Sequence, residues 1–142
     1  MPQLFTEIHR FKSMLSNRYE KGEADSITQL VFEELFLMKV HQLRLAGELE
    51  LNPEQIHQLE SVLSRLMTGE PIQYILGFAW FLGERYLVNE STLIPRPETE
   101  ELVAWIAQDL SSHPAPTLLD LGTGSGCIPI ALKRSLPKAS VR

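Results

Sequence analysis

Apolar residues recur every three or four positions through the first 68 residues, which is the period of an amphipathic helix. Two segments carry the pattern most clearly. Their apolar positions are Leu4, Phe5, Ile8, Phe11 and Leu15 in the first segment, and Ile27, Leu30, Val31, Leu35 and Met38 in the second. Because an apolar stripe must be buried against a neighbour, the pattern predicts a helical bundle. Gly22 separates the segments, and Asp25 or Ser26 is the predicted cap of the second helix.

Two more helices are predicted before residue 70. A short one spans Lys39 to Leu45. The other has the clearest start in the chain, since Asn52 is a good capping residue, Pro53 suits the first helical position, and Gln55 can complete a capping box. Gly69 predicts the end of this helix.

After Gly69 the pattern changes to short elements. The sequence predicts one further helical turn at residues 71–76. It also predicts a β-hairpin with strands at 79–81 and 85–88, because aromatic and apolar residues flank a turn. The prolines at 95 and 97 predict an extended segment before a helix that begins at Pro97 or Glu98.

The last 26 residues predict a strand, a glycine-rich loop and a helix. Thr117 to Leu121 is a short apolar run typical of a buried parallel strand, and Cys127 to Ser135 is the predicted helix. A strand and a helix form half of a βαβ unit, so the strand is expected to lack a partner. Residues 138–142 would begin the next strand, and we therefore expect the sequence to be truncated inside an α/β domain.

Composition narrows the classes of function. Apolar residues make up 44% and charged residues 22%, as in globular proteins, and no apolar run approaches the roughly 20 residues that span a bilayer. The N-terminus is not a signal sequence, so a soluble cytoplasmic protein without a membrane partner is expected. Acids outnumber bases 18 to 13, which disfavours direct nucleic acid binding. Cys127 is interpreted as a packing residue. The spacing of the four histidines fits no metal site, so none is predicted.

The glycine loop, Asp120 to Gly126, is the strongest candidate for a binding site. Glycines allow positive φ and close approach of a ligand, and the following helix offers free amides. A dinucleotide fingerprint would need glycine at 127, and a phosphate-binding loop would need a lysine before Lys133. An acid followed by G-x-G-x-G is similar to motif I of class I methyltransferases, which bind S-adenosylmethionine. A tight turn without a ligand is the alternative.

Four blocks together resemble the HemK/PrmC family of protein-(glutamine-N5) methyltransferases. They are GEPIQYILG at 69–77, FLG at 81–83, TLIPRPETEELV at 92–103 and the loop region 118–127. The resemblance implies methyl transfer from S-adenosylmethionine to the glutamine of the Gly-Gly-Gln motif in class I peptide chain release factors. It also implies an all-α bundle at 1–70 that docks this protein substrate, a short helix and β-hairpin linker at 71–92, and the start of a Rossmann-like α/β cofactor domain at 93–142.

The same resemblance assigns site residues. The expected cofactor-binding residues are Asp120, Gly122, Thr123, Gly124, Ser125 and Gly126, with Arg96 and Thr99 as weaker candidates. The segment around Arg96 is equally explained as an extended entry to a helix. The family's acceptor motif, Asn-Pro-Pro-Tyr, does not occur in residues 1–142. We therefore expect no catalytic residue in this chain.

Two alternatives stay open. A nucleic acid adenine-N6 methyltransferase uses a similar acceptor motif, although the acidic helical region argues against it. A helical protein-interaction module without enzymatic activity is the other.

Overall fold

The computed structural model describes residues 1–142, which form two compact units, Met1–Leu76 and Gly77–Arg142. The boundary between the units lies inside the segment 71–92. The first unit contains α1 (Leu4–Leu15), α2 (Lys21–Phe36), α3 (Val40–Leu45), α4 (Pro53–Thr68) and α5 (Ile72–Leu76). The second contains β1 (Phe78–Phe81), β2 (Glu84–Leu87), α6 (Pro97–Asp109), β3 (Thr117–Leu118), α7 (Cys127–Ser135) and β4 (Ser140–Val141). None of the helices combines the length and the apolar character needed to cross a membrane.

The first unit is held by one hydrophobic core, and the predicted helical N-terminal region is confirmed. The core residues are Leu4, Phe11, Leu15, Ala24, Ile27, Val31, Phe32, Leu43, Leu51, Leu59, Leu63 and Leu66. Phe11 and Phe32 meet edge to face with ring centroids 5.5 Å apart, a favourable arrangement for aromatic rings. Phe5 departs from the predicted stripe, because its side chain is 58% exposed.

The start of α2 differs from the prediction. The helix begins at Lys21, four residues before Asp25, and Gly22 lies in its first turn. Asp25 forms an ion pair with Lys12 at 2.5 Å, and the Ser26 hydroxyl donates to the carbonyl of Gly22, so neither side chain caps the helix. The earlier start makes Ala24 helical and buries it in the core. This burial offsets the cost of about 1 kcal/mol for placing Gly22 in a helix.

The ends of α4 follow the prediction. The Gln55 amide donates to Asn52 Oδ1 at 2.9 Å, and the Asn52 amide donates to Gln55 Oε1 at 2.9 Å. This reciprocal box satisfies two backbone donors at the helix start. Gly69 ends the helix with a φ of 92°, a left-handed conformation that favours glycine.

The predicted hairpin is also confirmed. Strands β1 and β2 pair antiparallel, with Phe81 opposite Glu84, so that Leu82 and Gly83 form a two-residue turn. Both have positive φ, 49° and 74°, as the twist of a tight hairpin requires. The inner face of the hairpin contributes Phe81 and Tyr86 to a second, smaller core with α6 and α7.

The strand prediction at 117–121 needs two corrections. Strand β3 has a partner, because it pairs in parallel with β4 through Thr117–Ser140 and Leu118–Val141. It is also only two residues long, and Leu119 and Leu121 are 70% and 82% exposed rather than buried. A parallel strand is buried when strands and helices cover it on several sides, whereas β3 has a single two-residue neighbour.

Candidate functional site

The glycine loop connects β3 to α7 and takes a conformation that only glycine adopts easily. Gly122, Gly124 and Gly126 have φ values of 77°, 56° and 77°. The Gly126 amide donates to the Thr123 carbonyl at 2.9 Å, which closes a turn, and the Gly126 carbonyl accepts from the Ile130 amide at 3.1 Å in the first turn of α7. Glycine is favoured at each of these three positions, because a positive φ would strain any other residue.

Space in front of the loop is open. A Cβ atom built on Gly122 or Gly124 would meet no protein atom within 4 Å, whereas one on Gly126 would lie 3.3 Å from Ile130 Cδ1. Side chains at the first two positions would therefore project into free volume. Glycine at 122 and 124 leaves the backbone accessible to a ligand.

Two polar atoms at the loop are buried without a hydrogen-bond partner. They are Asp120 Oδ2 and Ser125 Oγ. The backbone around Asp120 is fixed, because its amide donates to the Arg142 carbonyl at 2.8 Å as an extension of the β3–β4 pairing. Buried polar atoms are nearly always paired in folded proteins, so the loop has unused capacity to bind a polar group. A carboxylate accepts hydrogen bonds and attracts cations.

The nearby bases of α7 are engaged elsewhere. Lys133 Nζ donates to the carbonyls of Pro137 and Ala139, at 2.9 and 2.7 Å. Arg134 pairs with Glu84 at 2.9 Å. Asp120 has no ion-pair partner, so its charge makes the loop better suited to an ammonium group than to a phosphate.

The weaker site candidates, Arg96 and Thr99, lie at the start of α6. Arg96 precedes α6 with an extended backbone, φ −104° and ψ 145°, as the flanking prolines predict. Its side chain is exposed, and its carbonyl accepts from the Thr99 amide at 3.0 Å. No hydrogen bond or ion pair joins Arg96 or Thr99 to residues 120–126.

Sequence reasoning missed a role for Glu100. Its Oε1 accepts a hydrogen bond from the Leu82 amide at 2.7 Å and so ties the hairpin turn to the first turn of α6. The contact stabilises Leu82, a non-glycine residue with positive φ. The signal in the sequence was the leucine in the first position of a Leu-Gly turn, where glycine or asparagine is more usual.

Cys127 and Tyr86 belong to the core behind the loop. Cys127 is buried beside Phe81, Val103 and Ala131, as expected for a packing residue. Burial raises the pKa of the Tyr86 hydroxyl; the Arg134 charge opposes this shift, and Cys127 and Glu84 reinforce it. This core fixes the start of α7 and therefore the end of the loop.

Comparison with known proteins identifies relatives for most of the chain. Residues 7–77 match the family described as PrmC N-terminal domain. A release factor glutamine methyltransferase of Flavobacterium psychrophilum is 44% identical over 135 residues, which cover 93% of this chain and 47% of the relative. The enzyme of the same name from Bacteroides thetaiotaomicron is 37% identical over 130 residues, 92% of this chain and 46% of the relative.

A third relative with this name, from Staphylococcus aureus, is 46% identical over 86 residues, 61% of this chain and 30% of its own length. The chain thus spans about half the length of the first two of these curated relatives. The family match covers half of the chain, and the chain belongs to the family of proteins that carry the PrmC N-terminal domain.

Proposed function

We propose that this chain supplies the helical N-terminal domain and the cofactor loop of a protein-(glutamine-N5) methyltransferase. The enzyme would transfer a methyl group from S-adenosylmethionine to the side-chain amide of the glutamine in the Gly-Gly-Gln motif of class I release factors. The observation that carries the proposal is the 44% identity to a release factor glutamine methyltransferase across 93% of the chain. The acceptor motif of the enzyme would lie outside residues 1–142.

The second unit supports a Rossmann-like interpretation. Strand β3, the glycine loop, α7 and the parallel strand β4 follow one another as in a βαβ unit. In such units, ligands bind at the carboxyl end of the strand, where the helix begins. The loop from Asp120 to Gly126 occupies that position.

The residues of the loop fit S-adenosylmethionine. This cofactor would supply a methyl group on a positively charged sulfur. The unpaired Asp120 Oδ2 would accept a hydrogen bond from the ammonium group of the cofactor, and the unpaired Ser125 Oγ would bind a second polar atom. The open backbone at Gly122, Thr123 and Gly124 would let the methionine and ribose portions approach, and Gly126 would set the start of α7.

Arg96 and Thr99 are secondary candidates in this proposal. The family resemblance puts their segment beside the cofactor, whereas their contacts are explained by the start of α6. No residue of this chain is proposed to touch the reacting amide. Holding the cofactor in line with the acceptor would be the contribution of this chain, and positioning of this kind accounts for a large part of many rate enhancements.

A chimera tests the proposal. Residues 1–142 are joined to the C-terminal part of the Flavobacterium relative, and transfer of labelled methyl groups to a class I release factor is measured. Methylation of the Gly-Gly-Gln glutamine is the expected result. Release factor with this glutamine replaced by alanine is the control substrate, and labelling of the control would contradict the assignment of the acceptor.

Two further arms sharpen the test. The 142-residue chain alone is expected to show no methylation and to bind S-adenosylmethionine at least about tenfold more weakly than the chimera, because in this proposal the C-terminal part supplies the rest of the pocket. Equal affinities in calorimetric titration would show that the pocket is assigned wrongly. Methylation of adenine in DNA by the chimera would favour the nucleic acid alternative.

A further inference from the structure

A cavity lies in the helical unit, away from the glycine loop in sequence. It opens between α1, α2 and α3 and has a volume of about 300 Å³. A water molecule takes about 30 Å³ of liquid, so the cavity is large enough for a side chain of a partner. Its apolar lining comes from Ile8, Phe32, Val40 and Leu43. Apolar cavities of this kind bind apolar groups, because burial removes both surfaces from water.

Phe5 lines the cavity and is the residue that the helical pattern placed wrongly in the core. Its side chain is 58% exposed, and its ring meets that of His9 edge to face with centroids 4.3 Å apart. An exposed aromatic residue beside an apolar cavity is typical of the energetic centre of a protein interface.

Charge at the cavity differs from that of the unit around it. Residues 1–76 hold seven Lys and Arg against eleven Asp and Glu, a net charge of −4. The cavity is lined by Lys12, Arg44 and a single acid, Asp25, which pairs with Lys12 at 2.5 Å. Arg44 is exposed and forms no ion pair. The rim is therefore locally positive and complementary to a carboxylate of a partner.

We propose that this cavity is a docking pocket for the protein substrate, and that it receives an apolar side chain from a segment with a carboxylate beside that side chain. The apolar side chain would enter between α1, α2 and α3 and pack against Phe5, and the carboxylate would pair with Arg44. The inference rests on the proposed function, which supplies a class I release factor as the protein substrate.

Binding of a fluorescently labelled class I release factor to the full 142-residue chain tests the pocket. Phe5→Ala is expected to weaken binding about tenfold, because an interface anchor is removed. Arg44→Glu is expected to weaken it several-fold, and more at low salt than at high salt, since the paired charges are screened. Both side chains are exposed, so circular dichroism should show unchanged helix content.

Matched controls separate the pocket from the general surface. Leu37→Ala removes another apolar side chain, 88% exposed, and Lys21→Glu reverses another exposed base of the same unit. Neither residue lines the cavity. Both controls are expected to bind like the unmodified chain.

Three outcomes would overturn the inference. The first is unchanged binding by Phe5→Ala and Arg44→Glu. The second is self-association of the chain that Phe5→Ala abolishes, because the cavity would then receive a second copy. The third is absence of release factor binding by the unmodified chain. Each leaves the proposed function to be decided separately by methylation with the chimera.

Discussion

The helices of the first unit and the parallel strands β3 and β4 of the second differ in how far along the chain they find their hydrogen-bond partners. Helix α4 closes its start with residues three apart, Asn52 and Gln55. Strand β3 depends on residues more than twenty positions away, because Thr117 pairs with Ser140. The first unit consequently has long helices around one core, whereas β3 and β4 of the second unit are only two residues long and lie beside an exposed loop.

The difference also separates stability from candidate chemistry. Twelve buried residues form the core of the first unit, and six form that of the second. The unpaired Asp120 and Ser125 atoms and the glycines with open space before them lie in the second unit. Substitutions in the core of the first unit should therefore change folding, and substitutions in the loop should change cofactor binding.

The largest effect is expected from Gly124→Val in the chimera. Its φ of 56° would strain valine by about 1 to 3 kcal/mol, and the branched side chain would fill the open space before the loop. Loss of S-adenosylmethionine binding in calorimetric titration is the expected result. Gly22→Ala is the matched control, since a Cβ there meets no atom within 4 Å and requires no positive φ. Binding by Gly124→Val equal to that of the control would remove the loop from the cofactor site.

The next largest effect concerns the core of the first unit. Phe11 is fully buried, so Phe11→Ala should lower the free energy of unfolding by about 3 to 5 kcal/mol through lost burial and a cavity. Phe5→Ala, on the same helix but exposed, should change it by less than about 0.5 kcal/mol. Urea unfolding followed by circular dichroism measures both. Equal losses would show that the two rings contribute alike to the core.

Local signals explain most of the fold that could be predicted from sequence. The cap at Asn52, the stop at Gly69 and the hairpin turn each depend on residues within a few positions, and all three are observed, although the turn is Leu82-Gly83 and one residue shorter than the predicted turn between strands 79–81 and 85–88. The start of α2 was mispredicted because a local signal, Gly22, competed with burial of Ala24 in a core assembled from distant helices. Burial of Leu119 and Leu121 was mispredicted because it depends on neighbours that a short sequence segment cannot specify.

The candidate site shows the same division. The glycine pattern predicted positive φ at 122, 124 and 126, and the backbone has it. The hydrogen bond from the Leu82 amide to Glu100 joins residues eighteen positions apart, so the Leu-Gly sequence indicated an unusual turn but not the residue that stabilises it. The role of the loop in binding a cofactor stays a prediction until the titrations are done.

A smaller effect is expected at the start of α4. It tests how much a local capping interaction contributes to the free energy of unfolding. Asn52→Ala removes the acceptor for the Gln55 amide and should cost about 1 kcal/mol, whereas Asn52→Gly should cost only a few tenths. Urea unfolding distinguishes the two. A larger loss for glycine than for alanine would show that backbone freedom, and not the cap, decides stability at this position.

The smallest effect is a pH dependence confined to the second unit. Burial raises the pKa of Tyr86 above its ordinary value of about 10, although the Arg134 charge opposes the shift. Because the folded state then holds the proton more tightly than the unfolded state, the stabilisation is complete below about pH 10 and is lost as pH rises through the raised pKa. Tyr86→Phe keeps the ring that meets Phe81 edge to face at 5.9 Å but has no proton to lose. Urea midpoints should therefore fall more steeply above about pH 10 for the unmodified chain than for Tyr86→Phe. Parallel curves would mean that the hydroxyl is equally solvated in both states and that the second core leaves it open to water.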